Sequence, residues 1–346
     1  MRANNAPVRV LVADDSALAR ELIASILSMD DRIRVVGEAA NGKEAVEKVL
    51  ELKPDIVTMD VEMPVMGGIE AIELIMAENP VPILVVTSRS DAHTAYTAVS
   101  KGALDLIQKP EVGPDCASEF VHKIKLLSEI KVISHIMSGG TRSERPKEKT
   151  AAPRIFASDG DRIVAIASST GGPQALSVIL SGLPEEFPWP IVVAQHIPEG
   201  FINGLLDFLR KSVKLPMKVG QRSERLRPGT VYLSPPEAHM EVDGSKKIAL
   251  VERRKADIYR PSCDILFASV AREYRDRGIG IILTGMGDDG AAGMKKIKEA
   301  GGLTIAQNEE TSVVFGMNKA AIDGGGAGKV LALERIAAEV MRAACA

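Results

Sequence analysis

Two serines, a histidine and a pair of aspartates in the second half of the chain have the types that a hydrolytic site needs. Ser168 and Ser169 stand in "IASSTGGPQAL", where an apolar run breaks into hydroxyls and glycines. A serine nucleophile requires a base to take its proton, a carboxylate to hold that base, and N–H donors for the oxyanion. No G-x-S-x-G elbow is present to single out one serine. Beyond residue 158 the histidines are His196, directly after the apolar run "PIVVAQ", and His239, in "PPEAHMEV". His196 sits where a strand should end and reads as the base, whereas His239 reads as a hydrogen-bonded structural residue. Ser168 should close its strand and point under a helix, and Ser169 should fall just past it. The N–H groups of Thr170, Gly171 and Gly172 then offer an oxyanion site, with Pro173 suited to the first helical turn. An ordinary glycine turn is the competing reading. For the carboxylate, "LTGMGDDGAAGM" supplies Asp288 and Asp289; one could cap the helix beginning near Ala291 while the other holds the histidine.

The first half carries a different constellation. Asp14 and Asp15 follow the first β-branched run, Asp60 the third, Thr87 the fourth and Lys109 the fifth. Three carboxylates brought together repel unless a hard divalent cation such as magnesium lies between them. A hydroxyl and an ammonium on the same edge suit the oxygens of a phosphoryl group. Taken singly, each aspartate is more commonly a cap or turn residue and the lysine a surface residue; all of them together, in this order on five strands, are what argues for a site.

Both constellations require parallel sheets, whose carboxyl ends open on one edge. From Val8 to about Leu127, "VRVLVA", "RIRVVGEA", "PDIVTM", "VPILVV" and "ALDLIQ" alternate with amphipathic stretches, which predicts five parallel strands wound with helices. Residues from about Ser138 to Ser158 are polar, basic and poor in large apolar side chains, the composition of a linker. From "DRIVAIASS" onward strands and helices alternate again. The fold expected is α/β: two doubly wound parallel-sheet domains, an N-terminal five-stranded flavodoxin-like one over residues 1–128 and a C-terminal Rossmann-like hydrolase over 159–346, joined by 129–158. A chain of 346 residues, 45% hydrophobic, can bury two cores. A net charge of −3 and an aromatic content of 3% leave neither a basic surface nor stacking platforms for nucleic acid. Cys116, Cys263 and Cys345 lack the spacing of a disulfide framework or a C-x-x-C site. The expectation is a cytoplasmic protein without membrane insertion or a nucleic-acid partner.

"VLVADDS", "TMDVEMPVMGG", "VVTS" and "IQKP" together resemble response-regulator receiver domains. The resemblance implies that Asp60 accepts a phosphoryl group from a chemotaxis histidine kinase. Asp14, Asp15, Asp60 and the carbonyl of Glu62 would hold Mg2+, and Thr87 and Lys109 would bind the phosphoryl oxygens. Leu106 stands where many receivers carry a switch aromatic, and Gly67 replaces a common aspartate. In the second half, "IASSTGGPQAL", "AQHIPEGF", "YLSPPEAHM", "RPSCDILFASVA", "ILTGMGDDGAAGM" and "AQNEETSVVFGM" resemble the catalytic domain of the chemotaxis-receptor methylesterase family. That resemblance implies Ser169 as nucleophile, His196 as base, Asp289 as its carboxylate, and the backbone N–H groups of Thr170 and Met286 as oxyanion donors. It implies a protein-glutamate methylesterase, activated by phosphorylation and needing no cofactor for the ester chemistry. Such an enzyme hydrolyses glutamate γ-methyl esters on methyl-accepting chemoreceptors, releasing methanol, and also deamidates receptor glutamines. The alternatives are an enzyme that is mainly a receptor glutamine deamidase, and a non-catalytic regulator whose output domain binds partners.

Overall fold

The computed structural model describes residues 6–88, 92–110, 114–130, 132, 162–254 and 257–345. The chain separates into two compact units, Met1–Thr150 and Ala151–Ala346. Apart from residues 129, 130 and 132, the expected linker lies outside the described residues.

In the first unit the five β-branched runs form β1 (Val8–Ala13), β2 (Ile33–Ala39), β3 (Ile56–Met59), β4 (Ile83–Thr87) and β5 (Asp105–Gln108). Helices α1 (Ala17–Leu27), α2 (Gly42–Leu52), α3 (Gly68–Glu78), α4 (Ala92–Ser100) and α5 (Pro114–Leu127) alternate with them. The strands pair in the order β2-β1-β3-β4-β5, every pair parallel. β3 and β4 are buried at every residue, as strands covered on both faces must be. The order reverses between β1 and β3, so a crevice opens at their carboxyl ends.

The second unit repeats this logic on a wider sheet. Its elements are β6 (Ile163–Ser168), α6 (Gly172–Ser181), β7 (Ile191–Gln195), α7 (Ile202–Arg210), β8 (Met217–Val219), β9 (Val231–Leu233), β10 (Ala238–Val242), β11 (Ile248–Glu252) and α8 (Cys263–Tyr274). Then follow β12 (Gly278–Ile282), α9 (Ala291–Glu299), β13 (Leu303–Gln307), α10 (Met317–Asp323), β14 (Lys329–Leu331) and α11 (Leu333–Cys345). Seven strands pair in the order β14-β13-β12-β6-β7-β9-β8, all parallel. β10 and β11 form a separate antiparallel pair. Here the order reverses between β6 and β12. Leu266, Phe267 and Val270 of α8 share one buried cluster with Ile163, Ala165 and Ala167 of β6. Each of the larger side chains, Leu266, Phe267, Val270 and Ile163, contributes roughly 1.5–3 kcal/mol by burial, and the cluster seats the amino end of α8 beside the carboxyl end of the central strand. Among the described residues no helix is long and apolar enough to cross a membrane.

Candidate active site

β6 ends where an apolar strand must end, and its last residue faces inward. Ser168 is fully buried and its Oγ donates to Gln195 Oε1 at 2.6 Å. The amide nitrogen of Gln195 donates to the carbonyls of Ser169 and His196, both at 2.9 Å. One buried glutamine therefore ties the backbone of the serine turn to that of the histidine turn. Gly172 is required beside it, because a Cβ there would lie 2.0 Å from Gln195 Oε1. Ser169, one residue past the strand, is half-buried, and its N–H donates to Thr284 O beyond β12 at 3.0 Å. A Cβ on Gly285 would stand 2.7 Å from Ser169 Cβ, so the turn after β12 runs directly against the serine.

His196 follows β7. Its Nε2 lies 2.8 Å from Oδ2 of Asp289, which is 3% exposed. With the carboxylate ionised, Nε2 carries the proton and Nδ1 is the basic nitrogen. The ring stacks on Tyr259, centroids 5.1 Å apart and planes 13° from parallel. No hydrogen bond links Ser169 Oγ to His196 among the described residues; such contacts commonly tighten only when substrate is bound.

The carboxylate departs from the expected capping. Helix α9 has Gly290 at its cap and no side-chain capping bond, so neither Asp288 nor Asp289 caps it there. Asp289 instead meets the amino end of a different helix, α8: Oδ2 accepts from Cys263 N at 2.6 Å, and Oδ1 accepts from Asp264 N and Ser262 Oγ, each at 3.0 Å. Asp288 accepts the Tyr259 hydroxyl at 2.8 Å. Burial would push the Asp289 carboxyl up, but His196 and the two N–H donors outweigh it and hold it below the usual range. Cys263 Sγ lies 3.5 Å from His196 Nε2, so imidazole, thiol and carboxylate converge as metal ligands could. The donors argue otherwise: an α-helix N-terminus aims its N–H groups at this point, which favours an anion over a cation. Burial and the nearby Asp289 also push the thiol well up, keeping it protonated.

One further expectation changes. Gly172 N–H donates to Ser169 O at 2.8 Å, closing the turn, and is not available to an oxyanion. Met286 N–H, by contrast, has no acceptor among the described residues. Thr170 is buried, and its carbonyl accepts from Thr284 Oγ1 at 2.9 Å. His239 is buried and bonded through both ring nitrogens, as a structural histidine should be. Gln195, Tyr259 and Ser262 escaped the sequence reading. Gln195 and Ser262 stand in the quoted segments, but their roles depend on contacts 27 residues away in the chain.

In the first unit Asp14, Asp15 and Asp60 bring carboxylate oxygens within 4.8 Å of one another. Lys109 Nζ lies 2.7 Å from both Asp14 Oδ2 and Asp60 Oδ2. Asp60 Oδ1 accepts from Val61 N at 2.8 Å. Burial pushes the Asp60 carboxyl up, with Asp14 adding to it, against the lowering pull of Lys109. Thr87 Oγ1 is buried at the end of β4 without a hydrogen-bond partner among the described residues. Glu62 is exposed in the loop after β3, and Leu106 is buried in β5. Three carboxylates with one ammonium, an under-compensated Asp60 and an orphaned hydroxyl fit a site completed by a hard cation and a phosphoryl group.

Residues 164–340 match the CheB methylesterase family, and residues 10–117 match the response regulator receiver domain. The chain is 47% identical to a protein-glutamate methylesterase/protein-glutamine glutaminase of Paramagnetospirillum magneticum, over 96% of this chain and 95% of that one. It is 41% identical to one from Anaeromyxobacter dehalogenans, over 95% of each. The chain belongs to the CheB methylesterase family. In structure it is similar to the catalytic domain of Thermotoga maritima CheB methylesterase, with a TM-score of 0.51 and 39% identity over 53% of this chain and 98% of that domain. It is an enzyme of the methylesterase/glutaminase class joined to a receiver domain, and both parallel-sheet domains expected from the sequence are present.

Proposed function

We propose that Ser169, His196 and Asp289 hydrolyse glutamate γ-methyl esters on the cytoplasmic helices of methyl-accepting chemoreceptors. The observation that carries this reading is the His196–Asp289 pair, at 2.8 Å, set beside the turn that holds Ser169 at the reversal of strand order. Ser169 Oγ attacks the ester carbonyl while His196 Nδ1 takes its proton. The N–H groups of Thr170 and Met286 receive the oxyanion. His196 returns the proton to the departing methoxide, methanol leaves, and water repeats the sequence on the acyl-enzyme to restore the serine. Asp289 stays ionised and keeps the imidazole in the Nε2–H form. A receptor glutamine passes through the same steps with ammonia leaving.

The receiver acts as the control. A chemotaxis histidine kinase supplies the phosphoryl group to Asp60, with Asp14, Asp15, Asp60 and the Glu62 carbonyl as the ligands for Mg2+. The bound ion would neutralise carboxylate charge and draw in a phosphoryl oxygen. Lys109 and Thr87 hold the remaining oxygens, and the esterase becomes more active. The domains span 1–128 and 159–346, and the protein works in the cytoplasm. Methanol release from methylated receptor helices, with and without acetyl phosphate and Mg2+, tests this reading. Release that rises with the phosphodonor is expected; ammonia release without methanol would favour a deamidase, and no release at all would overturn it.

A further inference from the structure

We propose that His239 is a positioning residue for the esterase reaction, one imidazole that clamps the segment holding the catalytic His–Asp pair in place. His239 lies on β10, outside the seven-stranded sheet, and is 1% exposed. Its Nδ1 accepts the backbone N–H of Ser262 at 2.9 Å, and its Nε2 lies 2.9 Å from Asp257 Oδ2. A backbone N–H can only donate, so Nδ1 is unprotonated and the ring is neutral, with its proton on Nε2 toward Asp257. Asp257 also accepts from Arg254 N at 2.7 Å.

Both residues gripped by His239 bound one short segment, and that segment makes two contacts to the catalytic pair. Tyr259 stacks on the His196 ring at 5.1 Å. Ser262 Oγ donates to Asp289 Oδ1 at 3.0 Å while also accepting Ile265 N at 3.4 Å as the cap of α8. His239 touches no reacting atom. It acts by fixing Ser262, which orients Asp289, and Asp257, which anchors the approach to Tyr259. A second hydrogen-bonded shell of this kind is what holds a catalytic imidazole to the geometry it needs.

The inference rests on His196 and Asp289 being the base and its carboxylate. Two substitutions divide the clamp. His239→Asn places an amide oxygen near the position of Nδ1 and can still accept from Ser262, whereas His239→Gln reaches toward Asp257 and leaves the Ser262 N–H without an acceptor. In the full chain, His239→Gln should lower kcat on order tenfold with KM nearly unchanged, the size expected for losing one outer hydrogen bond. His239→Asn should recover most of that loss. Adding Ser262→Ala to His239→Gln should cost little more, because both act on one link. Equal loss in the two His239 variants, no loss in either, or a loss confined to KM would overturn the proposal.

A second measurement does not depend on hydrolysis. Nitrogen-15 NMR of the wild-type chain should find His239 in the neutral Nε2–H form, and a Nδ1–H or protonated ring would overturn the clamp. The low-field proton of the His196–Asp289 bond should shift or broaden in His239→Gln and not in His239→Asn. These spectra separate failure of the clamp from failure of the esterase reading, which would show as no methanol release from the wild type.

Discussion

The receiver edge and the esterase edge are the same architectural feature used in opposite ways. Each lies where strand order reverses in a parallel sheet, and each gathers carboxylates there. In the receiver the charges are left unsettled: Asp14 and Asp60 share one ammonium, Asp60 is pushed up by burial, and Thr87 Oγ1 has no partner among the described residues. In the esterase Asp289 is saturated by His196, two backbone N–H groups and a serine hydroxyl, and is held down. A carboxylate that must exchange partners is left under-compensated, so that a cation and a phosphoryl group gain by binding. Asp289, proposed to orient an imidazole through every turnover, is held by donors that belong to the fold itself.

Replacing Ser169 by alanine gives the largest expected effect, a loss of ester hydrolysis of roughly 10³-fold or more in kcat. Full methanol release from that variant would remove the nucleophile from the locked edge. Asp289→Asn should lower kcat by on the order of 10³-fold, because the amide no longer enforces the Nε2–H form. The two edges should also respond oppositely in stability. Asp289 sits below its ordinary value, so its ionised form stabilises the fold above the unfolded pKa, a contribution lost as pH falls through the lower native value; Asp289→Asn should lower the melting temperature of its domain. Asp60 sits above its ordinary value, so at neutral pH its charge opposes folding, and Asp60→Asn should raise the melting temperature in metal-free buffer. Calorimetry showing shifts of the same sign would break the comparison. Asp60→Ala should also abolish the response to acetyl phosphate and Mg2+; a variant that still responds would refute control through that residue.

Ser168→Ala sharpens the contrast between the neighbouring serines. It leaves Gln195 Oε1 without its donor, at about 1–3 kcal/mol, yet should keep most esterase activity. The smallest effect concerns Tyr259, whose phenol is pushed up to about 12 by burial and the adjacent Asp288. Spectroscopic titration should lose that transition in Tyr259→Phe, and a transition near 10 in the wild type would place the ring in water. Because its native value is raised, Tyr259 contributes stability below the unfolded pKa that disappears as pH rises toward 12.

Much of each site was legible in the chain because strand ends in parallel sheets are marked by abrupt changes from apolar to polar residues. Asp14, Asp60, Thr87 and Lys109 stand at such breaks, as do Ser169 and His196. Reading Ser168 as inward-facing followed from the same break, and its buried bond to Gln195 agrees. The capping expectation failed for a physical reason: local spacing put Asp288 and Asp289 before α9, while packing of α8 across β6 brought a second helix N-terminus to Asp289. Gly172 likewise looked available until the turn closed on Ser169 O.

Residue types and order alone were enough to read the α/β class and the two sheets, and to propose an edge suited to a phosphoryl group and His196 rather than His239 as the base, since periodicity and strand breaks are local properties. Only the tertiary structure decided which aspartate meets His196, which ring nitrogen it takes, and how Gln195, Tyr259 and Ser262 brace the pair. Those are contacts between elements far apart in the chain, and they exist only once hydrophobic packing has seated β6, β7, α8 and β12 against one another.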